Sequence, residues 1–201
     1  MPYPKDHKQK TRARIVEAAR QLFNTHGYDR VTIDMVMERA GLTRGGFYAH
    51  FTSKEALFAA AVDSFLMGQG AEWRARAGVD PHACHQIMAE RMIAGYLSAA
   101  HLGELEAQCP LIALSSDVAR SSPEVRAAYS KLLSEMVWLF EANLGGTTPA
   151  ARDRAMAIAA LCVGGMILAR TLPDSDLADN VRVAARDMAL AACAGDAGAA
   201  A

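Results

Sequence analysis

Three short stretches hold the residues whose types and spacing could do chemistry. "TRGGFYAHF", residues 43–51, sets Gly45 and Gly46 side by side after Thr43 and Arg44, then continues at once with Phe47, Tyr48, His50 and Phe51. Each glycine costs a helix interior about 1 kcal/mol relative to alanine, so the pair needs a reason, and close approach of another backbone supplies one. "HACH", residues 82–85, offers His82, Cys84 and His85 as metal donors. Offsets of two and three residues on a helix aim those donors at different faces, so neither a metal nor any other cofactor is expected. "QCPLIAL", residues 108–114, puts the Cys109 thiol before a proline at a predicted helix start, where a thiol becomes more acidic and more reactive. A buried, inert cysteine fits the same pattern. No GxSxG, HExxH, phosphate loop or dinucleotide fingerprint occurs, which argues against an enzyme.

The elements around the first stretch can be read from its apolar spacing. Ile15, Ala18, Ala19, Leu22 and Phe23 fall on one helical face, and Gly27 after "NTH" is a left-handed stop. Thr32 suits the N-cap of a second helix with Ile33, Val36, Met37 and Ala40 inward and Gly41 at its end. Only Leu42 separates Gly41 from Thr43, so a third helix starts almost at once, and two short helices joined through glycine make a helix-turn-helix. Thr43 as N-cap places Arg44, Gly45 and Gly46 in the first turn, with Leu42 and Phe47 as a hydrophobic staple. The start of a reading helix enters the major groove, where Arg44 would reach a guanine edge. Tyr48 and His50 are placed to bond flanking phosphates, unless they are simply an exposed pair. "TSKEAL" then reads as Thr52 and Glu55 in a capping box, with Lys54 beside free N–H groups, either holding a phosphate or solvated.

The charge distribution agrees. Residues 1–54 carry ten Lys and Arg against five Asp and Glu, a net of +5, while residues 55–201 carry eleven against seventeen, a net of −6. A basic front on an acidic body is what a chain needs if one end meets a polyanion. The hydrophobic fraction of 52% supplies a core. The longest uncharged apolar run, Ala155 to Ala169, counts fifteen residues, short of the ~18 of a membrane span, so no membrane partner is expected. The basic N-terminus lacks the apolar block of a signal peptide, and the four cysteines lack CxxC spacing, so a cytoplasmic chain with reduced thiols is expected.

Residues 14–62, "RIVEAARQLFNTHGYDRVTIDMVMERAGLTRGGFYAHFTSKEALFAAAV", resemble the DNA-binding domain of the TetR/AcrR family of bacterial transcriptional repressors. The resemblance implies that Thr32, Thr43, Arg44, Gly45, Gly46, Tyr48, His50 and Lys54 form or support the DNA contact surface. Many members have an acidic or polar residue and one small residue where this chain has Arg44-Gly45-Gly46, so base preference does not transfer.

The expected fold is all-α: a three-helix helix-turn-helix domain over 1–52, then a helical ligand-binding and dimerisation domain over 53–201, about nine helices in all. Beyond the first domain, capping residues and prolines place helices near 53–77, 81–101, 104–119, 123–144, 149–171 and 175–194. The helix over 149–171 is apolar nearly all round, with Ala159, Ala160, Gly164 and Gly165 permitting close approach of a neighbour. The family resemblance implies that the last two helices pair with their copies in a homodimer. It also implies a pocket among the middle helices for an apolar or aromatic small-molecule inducer. The bulky residues available to line it are Phe65, Trp73, Met88, Met92, Tyr96, Leu114, Tyr129, Trp138 and Phe140, with Cys109 nearby in sequence. The function implied is a repressor that binds a palindromic double-stranded DNA operator as a homodimer and is released by a small molecule. The alternatives are a repressor that senses electrophiles or oxidants through Cys109, and a helical small-molecule carrier or enzyme.

Overall fold

The structure, a computed structural model, describes residues 5–81, 83, 85–146, 148–173 and 175–194. His82 and Cys84 of the "HACH" stretch lie outside the described residues. In chain order the helices are α1 (Lys5–His26), α2 (Ile33–Arg39), a 3₁₀ segment (Arg44–Ala49), α3 (Lys54–Ser64), α4 (Gln69–Arg76), α5 (Gln86–Tyr96), α6 (Ala99–Gly103), α7 (Pro110–Ala113), α8 (Ser115–Ala119), α9 (Pro123–Asn143), α10 (Pro149–Thr171) and α11 (Asp176–Ala194). No strand occurs among the described residues, so the all-α expectation holds. The helices are more numerous and shorter than expected. The helix expected over 53–77 is broken between Ser64 and Gln69, and that over 81–101 yields α5 and α6, with the Ser98 hydroxyl capping a fresh start at the His101 N–H (3.1 Å). The helix expected over 104–119 forms only from Pro110, as the pair α7 and α8.

The described residues fall into two compact units, one drawn from 1–69 and 105–132, the other from 70–104 and 133–201. In the first unit α1 buries Ile15, Ala18, Ala19, Leu22 and Phe23, as its spacing requires. Phe23 and Tyr28 both pack on Phe58 of α3, with ring centroids 4.9 and 4.8 Å apart, while Val36, Met37, Phe47 and Phe51 close the core beneath α2 and the 3₁₀ segment. Burying a side chain of this size contributes roughly 1.5–3 kcal/mol, so these rings carry much of the unit's stability. Gly27 has φ +77°, the left-handed stop its position called for, and an added Cβ would lie 3.3 Å from the Asp117 carboxylate.

Residues 105–119 are tied to this unit by polar bonds that no local sequence signal announces. Arg20 is 2% exposed, held by both Glu17 carboxylate oxygens (2.9 and 2.6 Å), and it donates to the Glu106 carbonyl at 2.7 Å. Asn24 donates to the Gln108 carbonyl at 2.7 Å, Arg39 donates to both Glu106 carboxylate oxygens at 2.8 Å, and the Tyr28 N–H donates to Asp117 at 3.1 Å. A buried guanidinium is tolerated because its donors are paired.

In the second unit α10 and α11 lie along each other and α5 packs on α11. Gly165 is buried at that seam, where an added Cβ would come within 2.5 Å of the Ala185 Cβ. Ala159 is also buried, at 1% exposure. The close approach of a neighbouring helix expected at these small residues is thus made by Gly165 against α11, inside the chain. One residue further round or back, Ala160 is exposed and a Cβ on Gly164 would meet nothing within 4 Å. The 100° step between successive helical residues accounts for that division. By length and composition alone α10 could cross a membrane; 39% of its apolar window is buried within the chain.

Candidate nucleic-acid interface

The helix-turn-helix is built as its residues dictate, with two changes at the caps. Thr32 has extended backbone and its hydroxyl accepts the Met35 N–H at 3.2 Å, opening α2. Thr43 is also extended, but its side chain makes no capping bond, and the six residues after it form a 3₁₀ segment in place of the expected α-helix. Two adjacent glycines give the backbone little helical preference, and short i to i+3 bonds, Gly46 N–H to the Thr43 carbonyl (3.0 Å) and His50 N–H to the Phe47 carbonyl (2.9 Å), suffice for a single tight turn. Phe47 is fully buried and Leu42 is half-buried against the same core, so the apolar contacts expected of the staple form. The cap of α3 is Ser53, whose hydroxyl accepts the Ala56 N–H at 3.0 Å; Thr52, expected in that role, is exposed.

Around this turn Thr32, Asp34, Thr43, Arg44, Gly45 and Tyr48 are all exposed, Tyr48 to 64%. Neither glycine has a left-handed backbone, so conformation alone does not demand them. Nor does internal packing: a Cβ on Gly45 would meet nothing within 4 Å, and one on Gly46 would make an ordinary contact at 3.6 Å with the Met37 methyl. Nothing among the described residues therefore requires glycine at position 45. Arg44 donates from Nη1 to Asp34 Oδ2 at 2.6 Å, an exposed ion pair between the 3₁₀ segment and α2.

His50 is half-buried at the rim, and its Nδ1 is buried without a hydrogen-bond partner among the described residues. Burial, then the charges of Lys8 and Arg12, hold its pKa below the usual histidine value. Arg12 lies over the Phe51 ring at 4.7 Å. Lys8 and Arg12, four apart on α1, thus join the basic surface, and that i, i+4 spacing within the basic N-terminal stretch is the signal that could have found them. Lys54 does not stand free at the start of α3. Its ammonium lies 4.1 Å over the Tyr28 ring, and burial lowers its pKa although Asp29 and Asp117 pull the other way.

The residues expected to line a ligand pocket are divided between the two units. In the first, Phe65, Cys109 and Leu114 are buried, Cys109 to 3% exposure, and the Tyr129 hydroxyl donates to the Leu111 carbonyl at 3.0 Å, its pKa pushed up to about 12 by burial and by Cys109. In the second, Trp73 and Tyr96 meet edge to face at 6.1 Å and both pack on His101, at 5.4 and 5.1 Å. Met92 and Phe140 are buried, Met88 is half-buried with its sulfur accepting the Asp80 N–H at 3.5 Å, and Trp138 is 45% exposed. Nothing in the sequence singles out His101, because a lone histidine in an alanine-rich segment carries no spacing signal. An open groove of about 830 Å³ in the first unit is lined by Arg12, Glu17, His50, Phe51, Asp63 and Glu124 among others, and by none of the nine bulky residues expected at a pocket or Cys109.

Comparison with known proteins bears on both parts of the chain. Residues 15–61 match the family of bacterial regulatory proteins of the TetR type. The chain is 45% identical over 60 residues to the transcriptional regulator TtgR of Pseudomonas putida (30% of this chain, 29% of that protein) and 39% identical over 62 residues to the regulator YfiR of Bacillus subtilis (31% and 30%). The matched stretch thus spans under a third of these relatives' own length. Among solved structures, a TetR transcriptional regulator from Chloroflexus aurantiacus superposes over 94% of this chain and 97% of its own with a TM-score of 0.71 at 24% identity, which shows the shared fold. The complex of SmeT with triclosan matches over 91% of each chain with a TM-score of 0.62 at 25% identity. Residues 15–61 thus carry the helix-turn-helix of the TetR type of bacterial regulatory proteins, and along nearly its whole length the chain shares the fold of a TetR transcriptional regulator.

Proposed function

We propose that this protein is a transcriptional repressor that binds a two-fold symmetric DNA operator as a homodimer and leaves it when a small molecule binds. The observation that carries the DNA reading is the exposed Thr32, Thr43, Arg44, Gly45 and Tyr48 surface at the turn, in which Gly45 has no internal reason to be glycine. Arg44 is its one long donor, suited to a base edge; Tyr48, His50, Lys8 and Arg12 are suited to phosphates; and Gly46 and Lys54 support the turn. For the homodimer, the supporting feature is an uncovered apolar face. Met156, Ala160, Gly164 and Leu168 make an i, i+4 ridge on α10 that nothing among the described residues covers, and Leu177 and Met188 of α11 are 58% and 62% exposed. A self-complementary patch of this kind on the last two helices fits a C2 pair, which would present two reading segments to two half-sites.

For the ligand, the support is the cluster of half-buried Trp73 with buried Tyr96 and His101, together with the structural likeness to a regulator holding triclosan. An apolar or aromatic compound is the class that such side chains would accept. A ligand that prefers one arrangement of the paired chains lowers operator affinity by the same factor that DNA lowers ligand affinity. Cys109 is buried, so a sensing role through its thiol finds no support in its surroundings. The test is titration of the purified protein against duplexes taken from upstream of its own gene, with and without candidate aromatic ligands. Weak, sequence-independent binding to all of them would remove specific regulation as the function.

A further inference from the structure

The Arg44–Asp34 pair joins the reading segment to the helix before it. Both side chains are more than half exposed, 65% and 56%, so the pair contributes little to the stability of the free protein. Its place in the turn suggests another use. Asp34 takes one guanidinium nitrogen, Nη1, and leaves the Nε and Nη2 donors for the two-acceptor edge of a guanine. The two non-bridging oxygens of a phosphate can accept the same edge, but any register that carries Arg44 onto the DNA backbone carries the Asp34 carboxylate towards the same negative charge. Water is excluded when the turn meets DNA, and the pair and the repulsion both strengthen there.

We propose that Asp34 is a specificity-determining residue that acts through Arg44: its carboxylate orients the guanidinium for a base edge and penalises its use on phosphates. This rests on the DNA-binding reading above. Asp34 also sits in the first turn of α2, where any acid complements the helix dipole, and that role predicts no effect on sequence discrimination.

The full-length protein is compared as wild type, Asp34→Asn, Asp34→Glu, Arg44→Ala and the Asp34→Asn/Arg44→Ala double variant. Each is titrated by fluorescence anisotropy against a duplex selected by the wild type from random sequence and against a scrambled duplex of the same length. Asp34→Asn is expected to tighten binding to the scrambled duplex about fivefold more than to the selected one, the ratio one exposed ion pair supplies. Asp34→Glu is expected to restore the wild-type ratio, and in the Arg44→Ala background Asp34→Asn is expected to leave the ratio unchanged. Equal tightening on both duplexes, or the same change in ratio without Arg44, would overturn the proposal while leaving the DNA-binding reading intact. Failure of the wild type to discriminate between duplexes would overturn both.

Discussion

Gly45 offers a perturbation in which stability and DNA binding should move in opposite directions. Its backbone is outside the left-handed region, and a methyl group added there meets no atom within 4 Å. Alanine can therefore take its place without strain, and by reducing the freedom of the unfolded chain it should add about 0.4–1 kcal/mol. For a chain of 201 residues that is a rise in Tm of roughly 1–4 °C, readable by differential scanning fluorimetry. If the gap at Gly45 is occupied by DNA in the complex, the same methyl, and more so the side chain of Gly45→Leu, must push the reading segment outward. Losing the base contact of Arg44 alone would cost about 1–3 kcal/mol, or roughly 5- to 150-fold in operator affinity. Fluorescence anisotropy on a selected duplex measures that loss. Gly46 is a poorer site for the test, because its added Cβ already touches Met37 at 3.6 Å and a larger side chain would disturb the core. Wild-type affinity in Gly45→Leu, or a fall in Tm that tracks the fall in affinity, would refute the reasoning.

Acid should weaken the fold through His101, whose burial against Trp73 and Tyr96 lowers its pKa from 6.5 to about 4. The unfolded chain takes up the proton first, so the stability present above pH 6.5 is lost as pH falls towards 4; between pH 7.5 and 5 the loss is about 2 kcal/mol, or roughly 4–8 °C in Tm. His101→Phe should flatten that dependence, and an unchanged pH profile in the variant would exclude His101 as its source. On α10, Gly165→Ala forces a Cβ within 2.5 Å of Ala185 and should destabilise the chain by about 1–3 kcal/mol in thermal melts, whereas Gly164→Glu should leave the fold of the single chain intact and reduce self-association seen by light scattering. Cys162 and Cys193 are buried, and burial raises both thiol pKa values, Cys193 to about 11; peptide-resolved alkylation at pH 8 should leave both unlabelled in the native protein and label both after unfolding.

Much of the N-terminal architecture is legible in the sequence because it is local. The apolar spacing of Ile15 to Phe23, the Gly27 stop and the Thr32 cap each involve residues within a turn or two of one another, and each is present in the fold. The reading segment differs from the expected α-helix because a cap and an apolar staple do not reveal whether two glycines tighten the turn to 3₁₀. Thr52 and Ser53 are equally good caps by residue type, and only the extended backbone of Ser53 decides between them. Contacts made across long stretches of chain leave no trace in spacing. Glu106 and Asp117 hold α1, α2 and the turn at Tyr28 from about seventy to ninety residues away, and Gly165 and Gly164 look alike in sequence although one is spent on Ala185 and the other is open. Arg44 stands out in the sequence as the one long donor of its stretch, but Asp34 is not legible as its partner, because ten positions and a turn separate them.

If the exposed turn around Arg44 and Gly45 reads a specific DNA sequence as one half of a symmetric pair, the purified protein should reveal it in a selection of bound duplexes from a random library. The expected result is enrichment of a two-fold symmetric sequence bound at least ~10³-fold more tightly than scrambled DNA, with Arg44→Ala relaxing preference at one base pair in each half-site. Recovery of sequences with no common element, bound no better than scrambled DNA, would contradict it.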